Sequence, residues 1–233
     1  MEPVRILLAS YEGAAYLRPQ LDSLLAQTLP GLEIVVSDDG STDGSAEILA
    51  EYAAAHPGRI VHYRSGRRFG NSQGHFLHLL RRFGDAPYLL FCDQDDVWHP
   101  DKAEKTVAAL RRLCPDPAVP ALVHTDLRVV DRDLRELSPS FLRFSALDGS
   151  ALRLNQLLVQ NVVTGCTVAL NRSLADLFCS AEDPGTVLMH DWYLALLAAA
   201  CGKIGFLPEA TIDYRQHGRN AVGAKNARTP TYL

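Results

Sequence analysis

The chain has 233 residues, 47% hydrophobic and 21% charged, with 23 basic against 27 acidic side chains and a net charge of −4. At about one and a half ordinary domain lengths it hides roughly 70–75% of its unfolded surface, which excludes disorder, collagen and coiled coil. A net acidic chain is also a poor partner for nucleic acid, whose binding rests on neutralised phosphates.

Residues 4–9 are an apolar run suited to a buried parallel strand. Leu17, Leu21, Leu24 and Leu25 then recur at helical spacing, with Pro19 tolerable near the helix start. Residues 33–37 are a second buried strand, running into Asp38-Asp39-Gly40-Ser41, a turn signal. Asp43 or Ser45 can cap the next helix, which carries Ile48, Leu49 and Tyr52. Residues 59–63 form a third strand; Phe76, Leu79, Leu80 and Phe83 mark a helix; residues 88–92 form a fourth strand ending at Asp93-Gln94-Asp95-Asp96. Pro100 opens a helix with Ala103, Val107 and Leu110 inward. The second half is less regular: strands over 122–130, 167–170 and 204–207, and helices over 151–160, 174–179 and 191–201. Strand–helix alternation predicts an α/β fold, a mostly parallel sheet covered on both faces, with a mixed C-terminal extension.

No apolar run approaches the roughly 18 residues of a bilayer span, and residues 1–6 do not read as a signal peptide. Cys92, Cys114, Cys166, Cys179 and Cys201 are odd in number and scattered, which predicts reduced, mostly buried thiols in a reducing compartment.

In open α/β sheets, ligands bind outside the carboxyl ends of the strands. That rule selects Ser10-Tyr11-Glu12, Asp38-Asp39-Gly40 and residues 93–96. Three carboxylates in four residues repel one another, and a divalent cation such as Mg²⁺ or Mn²⁺ resolves the conflict; the plainer reading is a turn whose Asp residues cap the following helix. Asp39 can accept from a nucleobase imide or ribose hydroxyl, or simply belong to an Asx-turn. Tyr11 can stack on a base or join the core. Asp191 can act as a base or cap the helix it opens. Arg67-Arg68 can meet a diphosphate or form a solvated turn. His75 and His78 precede the acidic strand end and read mainly as packing residues; His56, His62, His99 and His124 read as surface or partly buried. Neither GxGxxG after the first strand nor GxxxxGK[ST] nor GxSxG occurs, against a dinucleotide fold, a P-loop enzyme and an α/β-hydrolase.

Taken in order, Ala9-Ser10-Tyr11, Gln27-Thr28, the segment from Val36 to Asp43 and the acidic strand end resemble a glycosyltransferase of family 2 with the GT-A fold. Asp93-Gln94-Asp95-Asp96-Val97-Trp98 with Pro100 and Lys102, the segment from Asn161 to Cys166, His190-Asp191-Trp192, and Tyr214-Arg215-Gln216-His217-Gly218 with Asn220 and Gly223 are similar to its rhamnosyltransferase-like branch. The resemblance implies a single GT-A domain over 1–233, with a nucleotide-sugar half over about 1–98 and an acceptor half over about 99–233. Ser10, Tyr11 and Asp39 would hold the base end of a dTDP- or UDP-sugar, Asp38 supporting the turn. Asp93 would reach the ribose or the surroundings of the metal, and Asp95 would be the principal ligand of Mn²⁺ or Mg²⁺, with Asp96 beside it and His217 near the diphosphate or metal. Thr164-Gly165-Cys166 would line the donor sugar and acceptor cleft. Asp191 would be the general base of an inverting transfer, His190 replacing the usual Glu as it does elsewhere in this branch. Residues 219–233 would order over the donor, and relatives in this branch often carry a longer C-terminal part. The resemblance further implies a glycan or lipid-linked acceptor, a cytoplasmic location and contact with the inner face of the membrane, although no amphipathic anchor stands out. A non-catalytic sugar-nucleotide-binding module and a sugar nucleotidyltransferase are the rival readings.

Overall fold

The computed structural model describes residues 2–180, 189–218, 223 and 224. The first half alternates as the sequence predicts: β1 (Val4–Ser10), α1 (Ala14–Leu25), β2 (Leu32–Asp38), α2 (Ser45–Ala55), β3 (Ile60–Tyr63), α3 (Ser72–Phe83) and β4 (Tyr88–Cys92). These strands lie parallel in the order β3-β2-β1-β4. Alternation along β1 divides the core. Ile6 and Leu8 pack under α1 with Leu17, Leu21 and Leu24, while Leu7 and Ala9 pack under α3 with Phe76, Leu79 and Leu80.

The second half adds β5 (Val97–Trp98), α4 (Lys102–Leu113), β6 (Ala121–Val130), β7 (Glu136–Ser138), α5 (Phe141–Phe144), α6 (Leu154–Leu157), a 3₁₀ turn at Gly165–Thr167, β8 (Ala169–Asn171), α7 (Arg172–Cys179), α8 (His190–Cys201) and β9 (Lys203–Arg215). Antiparallel β8 joins β4 to β6, and β9 runs parallel to β6 and antiparallel to β5. The sheet as a whole is therefore mixed, its parallel character concentrated in the first half.

Register places the site. Ser10 lies opposite Asp38, and Leu8 opposite Cys92, so the ends of β1, β2 and β4 bring Tyr11, Asp39 and the acidic run to one edge.

Three sequence expectations need correction. The helix expected over 151–160 is the single turn Leu154–Leu157. The strand expected over 204–207 continues to Arg215, which carries the chain back beneath the acidic run. Neither Asp43 nor Ser45 is the N-cap of α2; Gly44 holds that position at φ 95°, a left-handed conformation that favours glycine. Instead, Asp43 accepts from Ala14 N (3.0 Å) and the Ser45 hydroxyl accepts from Gly13 N (2.9 Å). The start of α1 is thus held by the loop after β2, which fixes the two binding loops against each other.

Candidate active site

The strand ends enclose a cavity of about 560 Å³ whose walls include Ser10, Tyr11, Asp39, Asp93, Asp95, Gly165 and Asp191. Seven of the sequence-selected residues therefore converge on one space. Asp38 does not line it: its carboxylate accepts from Gly40 N (2.9 Å), Ser41 N (2.8 Å) and the Ser41 hydroxyl (2.5 Å), which holds the turn.

At one end, Asp39 is buried and accepts from Phe69 N (2.5 Å) and Gly70 N (2.8 Å), so it organises the loop before α3 as well as facing the cavity. The Ser10 hydroxyl is buried with no hydrogen-bond partner among the described residues. Tyr11 is 43% exposed, which removes the core reading. Its ring lies 4.8 Å from the Arg68 guanidinium, which also donates to its hydroxyl (2.5 Å). Arg68 therefore lines the cavity, whereas Arg67 turns to His78 Nδ1 at 3.1 Å. His75 is buried at the same end, its Nε2 2.9 Å from the Ser37 hydroxyl, and burial pushes it down to about 4, so the imidazole is neutral. His124, expected near the surface, is fully buried against Phe206.

In the middle stands the acidic run. Asp95 Oδ2 shares a hydrogen bond with His217 Nε2 (2.8 Å), and the His217 ring stacks on Tyr16 with centroids 4.6 Å apart. Asp96 is fully buried; its Oδ1 accepts from Arg215 N (3.1 Å), and its Oδ2 has no nitrogen or oxygen donor among the described residues. Burial, then the charges of Asp95 and Asp93, raise Asp96 well above the ordinary carboxylate range. Asp93 keeps some exposure, yet burial of its carboxyl, followed by the charges of Asp95 and Asp191, pushes it up to about 7. Asp93, Asp96 and Cys166 place one ligand atom each within 4.8 Å of one another. Cys166 is buried beneath the cavity instead of lining it, and burial keeps its thiol protonated. Below the run, Lys102 is fully buried, its ammonium 4.3 Å over the Trp98 ring, and burial pushes it down to about 8.

The acids are thus answered in part by the chain's own groups: His217, the Arg215 N–H, Lys102 and retained protons. A divalent cation still fits. Asp95, at the cavity wall, places a carboxylate oxygen beside the His217 imidazole, and Asp93 and Asp96 on the same loop lie with Cys166 within 4.8 Å of one another.

At the other end, Asp191 is the second residue of α8, two residues past the N-cap that Met189 holds, and its carboxylate still engages the first turn of the helix. Its Oδ1 accepts from Trp192 N (2.6 Å) and its Oδ2 from Gly165 N (3.0 Å). Burial raises its pKa, which suits a carboxylate that must take a proton. His190 is buried, stacked on Phe76 at 4.7 Å and edge-on to Phe91 at 5.4 Å, with neither ring nitrogen hydrogen-bonded among the described residues.

Sequence reasoning gave no separate role to Gln94. Its side chain accepts from Tyr11 N (2.6 Å) and donates to Tyr11 O (2.9 Å), tying the end of β1 to the acidic loop. A Cβ on Gly13 would lie 2.8 Å from Gln94 Cγ. The signal was present: an amide among acids, and a glycine just after the first strand. Of the expected cover over 219–233, only Gly223, at the cavity wall, and Ala224 are among the described residues; the rest, Asn220 included, lies outside them.

A family model described as Glycosyl transferase family 2 matches residues 6–178. The dTDP-rhamnosyl transferase RfbG of Shigella flexneri is 25% identical over 228 residues, 93% of this chain and 74% of that protein. An uncharacterized protein of Mycobacterium bovis is 32% identical over 216 residues, 91% of this chain and 58% of its own length. Among solved structures, mannosyltransferase PcManGT of Pyrobaculum calidifontis, in complex with GDP-Man and Mn²⁺, superposes with a TM-score of 0.70 at 21% identity, over 94% of this chain and 58% of that one. Staphylococcus aureus TarS 1–349 in complex with UDP superposes with a TM-score of 0.67 at 17% identity, over 92% of this chain and 60% of that one. The last three are all substantially longer than the chain matched to them. The fold is that of GT-A glycosyltransferases.

Proposed function

The chain belongs to glycosyl transferase family 2, and from that premise we propose that it is an inverting, metal-dependent transferase moving a sugar from a dTDP- or UDP-sugar to an acceptor hydroxyl. The observation that carries the reading is the convergence of Tyr11 and Asp39, the acidic run and Asp191 on one cavity. Two halves, about 1–98 for the donor and about 99–233 for the acceptor, meet there.

The base would stack at Tyr11 and be read by Asp39, whose oxygens keep lone pairs beyond those used by Phe69 and Gly70. Asp95 and His217 would hold a divalent cation, with Asp93 and Asp96 beside them. When bound, the ion offsets the charge that builds on the leaving diphosphate. Asp191 would take the acceptor proton; its two backbone hydrogen bonds fix the carboxylate, and burial holds its basicity above that of a solvated Asp. With Asp191 as the base and Asp93 and Asp95 given to the cation, transfer proceeds by one displacement, with inversion. The similarity to a dTDP-rhamnosyl transferase makes rhamnose the first sugar to test, and polysaccharide or lipid-linked glycans the first acceptors. Intact acids at 39, 95 and 191 favour an enzyme over a binding module.

The test is donor hydrolysis and transfer with Mn²⁺ or Mg²⁺, in wild type and Asp191→Asn. The proposal expects transfer to fall by about 10²–10⁴ in the variant while nucleotide affinity holds. Equal turnover in both removes Asp191 as the base.

A further inference from the structure

Beside Asp191 the cavity wall carries an aromatic residue to which the transferase reading gives no role. Trp192, the third residue of α8, lines the cavity and is half-buried. Its backbone N–H donates to Asp191 Oδ1 (2.6 Å), and its indole Nε1 donates to the carbonyl of the fully buried Leu157 (2.6 Å), at the end of α6. The residue is thus fixed at both ends, and the one polar atom of the ring is already engaged by the chain itself. Among the described residues no other ring and no cation packs on the indole.

The same stretch of wall includes Asn161 and Thr164. Asn161 is engaged by its own loop: its Oδ1 accepts from Val163 N (3.0 Å), and its Nδ2 donates to Val163 O (2.8 Å) and, at 3.4 Å, to Asp191 Oδ1. The Thr164 hydroxyl, by contrast, makes no hydrogen bond among the described residues. An acceptor hydroxyl must come within hydrogen-bond reach of Asp191 to give up its proton, so the rest of the acceptor lies against the residues around it. They offer a rigid π-surface with no donor left, a free hydroxyl and a carboxylate. A pyranose ring matches that set: its axial C–H bonds suit the negative face of an indole, while its equatorial hydroxyls reach Asp191 and Thr164. An open-chain alcohol has the hydroxyls without the face, and a hydrocarbon chain has neither.

We propose that Trp192 is the platform on which the acceptor is recognised, and that the receiving unit is a pyranose ring stacked there with one hydroxyl at Asp191. The acceptor role rests on the transferase reading above; the binding of a pyranose at Trp192 does not. The test is transfer with Mn²⁺, from a dTDP- or UDP-sugar, to glycerol and to the methyl pyranosides of glucose, galactose, mannose and rhamnose, in wild type, Trp192→Leu and Trp192→Phe. The quantity read is the preference for the best pyranoside over glycerol, a ratio of kcat/KM values that a general loss of activity leaves unchanged. It should be at least about tenfold in wild type, disappear in Trp192→Leu and largely survive in Trp192→Phe. Tryptophan fluorescence reads binding separately, since the chain has two tryptophans and the other, Trp98, is fully buried. Wild-type emission should change saturably with the preferred pyranoside, and Trp192→Phe should lose the change. A wild type that transfers without preferring any pyranoside, or a preference that survives in Trp192→Leu, overturns the proposal. So does a preference lost equally in Trp192→Leu and Trp192→Phe, because the bond to Leu157 is then the cause, and so does wild-type emission that no pyranoside alters. If emission responds as described but wild type neither hydrolyses nor transfers any donor, the transferase reading fails and the pyranose platform stands.

Discussion

Gly165→Ala tests the geometry around Asp191 with a single methyl group. A Cβ at this position would lie 2.9 Å from His190 Nε2 and 3.6 Å from Asp191 Oδ2. The imidazole cannot easily yield, because Phe76 stacks on one side and Phe91 meets it edge-on. The alternative is for the 3₁₀ turn to shift, which stretches the 3.0 Å bond from Gly165 N to Asp191. Overpacking costs about 1–3 kcal/mol, and weakening a bond to a buried carboxylate about 1 kcal/mol more. A loss of about 2–4 kcal/mol lowers the midpoint of thermal unfolding by about 4–16 °C in a domain this size. Turnover should fall more than tenfold with donor affinity little changed, since the nucleotide end lies elsewhere in the cavity. Calorimetry and steady-state kinetics read the two effects. Adding His190→Ala should recover at least about 1 kcal/mol in a double-mutant cycle, because it empties the space the methyl needs. A Gly165→Ala protein with wild-type melting and wild-type turnover would refute the packing described here.

Other substitutions probe the remaining parts of the site. Asp39→Asn turns an amide N–H₂ toward a backbone N–H and should cost about 2 kcal/mol in urea unfolding, with at least tenfold weaker nucleotide binding by calorimetry; no change in either would separate Asp39 from the loop it holds. Lys102 sits at about 8 when folded against its ordinary 10.5. The folded chain therefore binds fewer protons between those values, and stability rises with pH across that window by about 3 kcal/mol. Lys102→Met lacks this term, so the wild-type-minus-variant stability gap should grow by that amount from pH 8 to 10.5; a constant gap would show that Lys102 is not a buried cation. His217→Ala should weaken Mn²⁺ binding, read by electron paramagnetic resonance, by about ten- to a hundredfold. Unchanged affinity would move the cation to Asp93, Asp96 and Cys166.

The parallel half of the fold was legible because its strands are unbroken apolar runs and its helices repeat at 3.6 residues. Ile6 and Leu8 need one helix layer, Leu7 and Ala9 the other, and the sequence supplies both. The length of β9 was not legible: the expected strand ends at residue 207, before Pro208 and Glu209, yet the strand passes them through a register shift against β6 at Thr125 and Asp126. That extension matters, because it delivers Arg215 and His217 to Asp96 and Asp95, partners 119 and 122 residues away in sequence. Local reasoning saw three acids without those partners, and so left only a cation or a capping turn to answer their charge conflict. The resemblance placed Cys166 at the cleft wall, where the 3₁₀ turn instead buries it. Tyr11, Asp39 and Asp191 all line one cavity; strand-end position points to the first two, whereas Asp191 was marked by the family resemblance, its own surroundings reading as a helix cap.

The central claim is that a cation and a nucleotide diphosphate share the space beside Asp95. Calorimetric titration of UDP and dTDP into wild type and Asp95→Asn, each with and without Mn²⁺, measures that coupling directly, since linkage requires each ligand to tighten the other equally. The account predicts at least tenfold tighter nucleotide binding with Mn²⁺ in wild type and no such gain in Asp95→Asn. Nucleotide affinity that ignores Mn²⁺ in wild type, or a gain that survives in the variant, would contradict it.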